Sequence, residues 1–137
     1  MDRAFLALGA LLAFAGVGAG AFGAHAISSR VTPDRLATFE TGVRYQLWHA
    51  FGLFVVVFLR TIGPDTVATT LAGWLFVAGI LLFSGSLYAL VLSDERRWGA
   101  VTPIGGLCFL AGWLSLLVAA VTMTIGPELG PVAPFIR

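Results

Sequence analysis

Residues 4–26 read AFLALGALLAFAGVGAGAFGAHA, and this stretch decides the class of the fold. It contains no Asp, Glu, Lys or Arg. A helix needs ~20 apolar residues to cross the hydrocarbon core of a bilayer, and the run reaches that length. Ala24-His25-Ala26 resembles the small-residue site that ends a secretory signal, but the apolar run exceeds the ~7–15 residues of a signal core. We therefore expect a retained membrane helix that ends on a histidine.

The rest of the chain agrees with a lipid solvent. Of its 137 residues, 58% are hydrophobic and 11% charged, against ~25% charged in soluble domains. Mean hydropathy is +0.95. A soluble domain of this size has too little interior to hide so much apolar surface. Net charge is +1, and no basic patch exists to neutralise phosphates, so nucleic acid is not expected as a partner. The single cysteine, Cys108, can form neither an internal disulfide nor a paired metal motif. It reads as a small packed hydrophobe.

Three more runs are long and apolar, over residues 43–59, 68–92 and 103–125. They are continuous, whereas barrel strands alternate apolar and polar residues. The expected fold is an all-α integral membrane four-helix bundle forming one domain. Residues 126–137, GPELGPVAPFIR, carry three prolines and two glycines and should be irregular. Between the first two spans, Thr32 reads as an N-cap and Pro33 as the first helical residue. Leu36, Phe39 and Val43 follow at helical spacing. This predicts a short interfacial helix from Pro33 to about Thr41, free to continue into the second span across Gly42. Thr102 and Pro103 give the fourth span the same start signal.

Arginines set the orientation. Arg30, Arg35, Arg44, Arg96 and Arg97 flank the first and third connections, while Arg3, Arg60 and Arg137 lie at the other end. That bias puts the first and third connections in the cytoplasm of a bacterial inner membrane, with both termini periplasmic.

Helices in lipid associate through close backbone approach at small residues. Gly9, Gly16, Gly20 and Gly23 on the first span, and Gly105 and Gly106 on the fourth, are read as packing positions. A bulky residue at Gly20 should disrupt the bundle.

Antiparallel threading places the polar residues at one level. His25 ends the first span. Tyr45, Gln46 and His49 open the second, Ser84, Ser86 and Tyr88 lie late in the third, and Thr102 opens the fourth. Polar groups in lipid turn inward and find partners. One reading is structural: these side chains hydrogen-bond across helices. The other is functional: they line a pocket near the cytoplasmic surface, in which an imidazole could bind a ligand. Two histidines without carboxylate or thiolate companions at ligand spacing do not make a metal site, and no cofactor is expected. Asp34 and Glu40 sit among Arg35 and Arg44 and read as surface ion pairs, with proton transfer between Glu40 and His49 the sharper alternative. Trp98 fits an interfacial belt. No GxSxG, phosphate loop, dinucleotide fingerprint or HExxH occurs, so an enzyme is not expected.

GAFGAHAI (20–27), TGVRYQLWHAFGLF (41–54), AGILLFSGSLYAL (78–90) and TPIGGLCFLAGW (102–113) together resemble the YgdD-type family of small bacterial inner-membrane proteins. That resemblance implies a multi-span membrane protein of this length and brings no established activity, substrate or cofactor. The expected role is a non-enzymatic accessory or scaffold element in a bilayer, beside a larger membrane complex or as a homo-oligomer. The alternative is a transporter of ions or small molecules, or a lipophilic-ligand binder, that uses the His/Tyr/Ser positions.

Overall fold

The computed structural model describes residues 1–123. The tail expected over 126–137 lies outside them. Four helical spans cover Asp2–Ile27, Pro33–Ile62, Val67–Ser93 and Arg96–Thr122, each long and apolar enough to cross a membrane. The first is α1 (Asp2–Phe22) followed by a π-helical turn, Gly23–Ile27. The second is α2 (Pro33–Ile62). The third is α3 (Val67–Gly79), a π-helical turn Ile80–Ser84, and α4 (Gly85–Ser93). A 3-10 turn, Arg96–Ala100, leads into α5 (Thr102–Thr122).

The short helix expected between the first two spans is the start of α2, not a separate element. Thr32 is its N-cap residue, though the hydroxyl makes no capping bond, and Pro33 occupies the first turn. Gly42 does not interrupt the helix. At 1.5 Å per residue α2 is about 45 Å long, well beyond the ~30 Å hydrocarbon thickness, so its first turns project past the core. Those turns carry the exposed Asp34, Glu40 and Arg44. At α5, Thr102 lies inside the first turn and Val101 is the cap residue; the Thr102 hydroxyl bonds across the bundle instead of capping, as described below. Thr66 caps α3: its hydroxyl accepts from the Thr69 amide at 3.1 Å, and the Thr69 hydroxyl accepts from the Thr66 amide at 3.3 Å.

α1 lies along α2 and α3 lies along α5, and these two hairpins join where α2 packs on α3, the second π turn and α4. The seams are built largely from phenylalanine rings seated on glycines. A methyl group at Gly79 would meet the Phe109 ring at 2.4 Å, at Gly73 the Phe5 ring at 2.5 Å, and at Gly112 the Phe76 ring at 2.7 Å. Phe5, Leu53, Val56 and Phe76 are fully enclosed at this centre. Of the glycines picked from the sequence, a methyl group at Gly9, Gly16 or Gly23 would meet Phe54, Leu47 or Phe39 within 3.0 Å, and one at Gly105 would fall 2.3 Å from the Phe83 backbone nitrogen. A methyl group at Gly20 would meet only Val43, at an ordinary 3.4 Å, and one at Gly106 nothing nearer than 3.8 Å. These last two are therefore not tight packing positions. The strongest steric demand falls on Gly105, where the neighbour is backbone and cannot move aside.

The end that carries the chain start is locked by Arg60, whose side chain is 2% exposed. Its Nε donates to Asp2 at 2.5 Å and a terminal nitrogen donates to Asp65 at 2.5 Å. The other terminal nitrogen reaches the Thr70 hydroxyl at 2.8 Å and the Thr69 hydroxyl at 3.3 Å. One guanidinium thus joins the starts of α1 and α3 to the end of α2. At the opposite end Arg35 pairs with Asp94, rather than with Asp34 or Glu40. Asp94 ends α4 in the left-handed region, with φ 60°.

Candidate functional site

The eight polar positions do not gather into one pocket. They divide into two interhelical ties, one aromatic pocket, and two residues that stand apart.

The first tie runs through Gln46, which is 5% exposed. Its Nε2 donates to the Leu12 carbonyl at 2.8 Å, and its Oε1 accepts from the Tyr88 hydroxyl at 2.9 Å. α1, α2 and α4 are joined in one chain of hydrogen bonds. Gly16 makes this possible. It lies one turn beyond Leu12, and its missing side chain lets Gln46 and Leu47 approach to the distance at which the carbonyl is within reach. Tyr88 in turn covers Gly42.

The second tie is Ser86 to Thr102. Their hydroxyls lie 2.8 Å apart, and Ser86 Oγ donates to the Phe83 carbonyl at 2.9 Å. This secures the end of the third span to the start of the fourth. The π turn just before it matters, because one inserted residue rotates the following helix by ~100°. Ser86 and Tyr88 thereby reach α5 and α2 respectively.

The pocket lies between α2 and α5 and has a volume of about 500 Å³. Tyr45, Trp48 and His49 form the α2 wall, and Phe83 closes one end. Pro103, Gly106, Leu107, Leu110 and Trp113 form the α5 wall with Phe109. His49 is 4% exposed and its ring lies on that of Phe109, with centroids 3.4 Å apart and planes 8° from parallel. The Tyr45 ring stacks on Phe83 at 4.6 Å. His49 Nδ1 lies 2.7 Å from the Tyr45 carbonyl oxygen. A carbonyl can only accept, so Nδ1 carries the hydrogen. Trp48, Leu107 and Leu110 on the rim are 58%, 65% and 69% exposed, so the mouth faces sideways, toward lipid.

Ser84 and His25 stand apart. Ser84 Oγ is fully enclosed in the π turn and, among the described residues, has no hydrogen-bond partner. His25 lies in the other π turn and is exposed. It does not join His49, and no site between the two histidines exists in this fold. Glu40 is also exposed, nine positions from His49 on the same helix, or about 13 Å away at 1.5 Å per residue. Direct proton exchange between the two is therefore ruled out. Among the described residues, no three His, Cys, Asp or Glu side chains converge as metal ligands.

A family model described as "Protein of unknown function (DUF423)" matches residues 19–106. The UPF0382 membrane protein YwdK of Bacillus subtilis is 46% identical, over 87% of this chain and 97% of that protein. The chain belongs to the DUF423 family. UPF0382 membrane proteins of Staphylococcus haemolyticus (SH2409) and Staphylococcus epidermidis (SERP0230) are 42% and 43% identical, each over 85% of this chain and 94% of the relative. No solved structure matches. The resemblance read from the sequence thus holds at the level of a bacterial membrane-protein family of unknown function. The DUF423 match contains all eight polar positions, Phe83 and Gly106, while Leu107, Phe109, Leu110 and Trp113 of the pocket lie just beyond it.

Sequence reasoning missed Phe83, Phe109 and Trp113 as pocket residues. Phe109 and Trp113 are four apart, as are Tyr45 and His49, and that spacing puts each pair on one helix face. Two such aromatic pairs on different spans were the available signal.

Proposed function

We propose that this DUF423 protein is a non-enzymatic, multi-pass protein of the bacterial inner membrane that binds a lipophilic small molecule between α2 and α5. The observation that carries the reading is the aromatic pocket itself. Its ~500 Å³ falls within the ~300–1,000 Å³ typical of small-molecule sites, which are mostly apolar with a few placed polar groups. His49 and Tyr45 are those groups here. The arginine bias supports a pocket in the cytoplasmic half of the bilayer with both termini in the periplasm.

The experiment uses the full chain in lipid nanodiscs with a neutral alkyl diazirine photoprobe, and labelled peptides are mapped by mass spectrometry. The reading expects saturable labelling concentrated on Trp48, Leu107 and Leu110. Non-saturable labelling spread evenly over all lipid-facing positions would oppose it.

A second reading, an accessory subunit or homo-oligomer, draws on α1. This helix packs mainly along α2 and leaves Leu11, Phe14 and Val17 61%, 79% and 64% exposed. A methyl group added at Gly18 on the same helix would meet nothing within 4 Å outside that helix's backbone. A stable partner retained in mild detergent, and lost on replacing Gly18 by Trp, would support that role. A monomer under the same conditions would count against it.

A further inference from the structure

We propose that the ligand of this pocket carries an aromatic hydroxyl, and that His49 Nε2 accepts the hydrogen bond from it. The inference rests on the pocket reading above and adds the chemistry of what the pocket selects. Because Nδ1 of His49 donates to the Tyr45 carbonyl at 2.7 Å, the neutral ring presents a lone pair at Nε2. That nitrogen has no protein hydrogen-bond partner among the described residues. Nor is it among the fully enclosed unpartnered side-chain atoms of the described residues, where Ser84 Oγ stands alone. It therefore keeps some accessible surface although His49 as a whole is buried, and the space that His49 borders is the pocket.

The stack on Phe109 fixes the direction of this acceptor. With one face on Phe109 and Nδ1 tied to the Tyr45 carbonyl, the ring is held with Nε2 in a fixed direction. An acceptor in an otherwise apolar cavity favours a ligand that brings a donor, since a buried lone pair left unmatched is costly. Tyr45 adds a hydroxyl on the same wall, and a ligand hydroxyl can both donate to His49 and accept from Tyr45. A carbonyl can only accept, so it would leave Nε2 unmatched. A charged ammonium would lose its hydration against walls of Phe83, Phe109 and Trp113. Those rings favour a flat ring in the ligand, through offset or edge-to-face contact.

The test is competition against the photoprobe by two uncharged compounds, 4-pentylphenol and its methyl ether, in nanodiscs and with bilayer partition measured for each. After correction for partition, the phenol should compete about three- to tenfold better, the worth of one hydrogen bond. In His49→Phe, which keeps a ring over Phe109, the preference should fall to about one. In Tyr45→Phe, which keeps Nε2 and the backbone carbonyl, a preference should remain. Equal competition in the wild type, or a preference that survives His49→Phe and vanishes in Tyr45→Phe, would overturn the assignment while leaving the pocket standing. Absence of saturable labelling in the wild type would remove the pocket as well.

Discussion

His49 on α2 and Phe109 on α5 lie face to face, with ring centroids 3.4 Å apart and planes 8° from parallel. This contact links the two α-hairpins at the floor of the aromatic pocket. His49 also meets Phe76 at 5.6 Å and Trp113 at 6.1 Å. Truncation to Ala would open a void among these rings. Losses for large-to-small core changes run to ~2–5 kcal/mol, so His49→Ala should lower the detergent melting temperature markedly, and His49→Phe much less. Equal loss in the two variants would mean that the polar bond to Tyr45, not ring packing, is what His49 supplies to stability.

Gly105 and Gly106 are neighbours with opposite demands. A methyl at Gly105 would sit 2.3 Å from the Phe83 nitrogen and 2.7 Å from its Cα, and backbone cannot step aside. Gly105→Ala should destabilise by about 2–3 kcal/mol, at the upper end of overpacking costs. Gly106→Ala should be neutral, or stabilising by up to ~1 kcal/mol through helix propensity. Thermal unfolding of the two variants side by side checks the crossing of α5 over the π turn Ile80–Ser84.

The Leu12–Gln46–Tyr88 chain should show coupled energetics. Interhelical hydrogen bonds in membranes average ~0.6 kcal/mol and reach ~1.7. A double-mutant cycle with Gln46→Leu and Tyr88→Phe should return a coupling within that range. Strict additivity would mean that the 2.9 Å contact between Tyr88 and Gln46 adds nothing to folding.

Arg60 should be far more sensitive than Arg35. Its guanidinium is buried and has four partners. Removing one member of a buried ionic network costs up to ~3–5 kcal/mol. The carboxylates left behind are 47% and 61% exposed, which lowers the expectation for Arg60→Met to about 2–3 kcal/mol. Arg35 faces Asp94, whose side chain is 81% exposed, and Arg35→Met should cost at most ~1 kcal/mol. Chemical unfolding in detergent would separate the two. A larger effect at Arg35 would contradict this ranking.

The spans were legible because hydropathy along a continuous run depends on composition alone. Depth was legible too: threading put Gln46 level with Tyr88, and Ser86 level with Thr102, and each pair meets. Azimuth was not. His25 and Ser84 both fall in π turns, where an inserted residue resets the helical phase, and no local residue preference announces such a turn. His25 therefore left the group that its depth suggested. Thr102 looked like a cap from its place before Pro103, but its hydroxyl found Ser86 instead. The pocket's α5 wall escaped notice because Phe109 and Leu110 resemble every other lipid-facing residue until α2 is laid beside them.

The most direct measurement compares photolabelling of the wild type with Gly106→Trp. Gly106 borders the pocket, and a methyl group added there would meet nothing nearer than 3.8 Å outside its own helix backbone, so an indole there can fill the cavity without straining α5. Binding between α2 and α5 requires saturable labelling of Trp48, Leu107 and Leu110 in the wild type and its loss in a Gly106→Trp protein of unchanged melting temperature. Identical labelling in both proteins would contradict it.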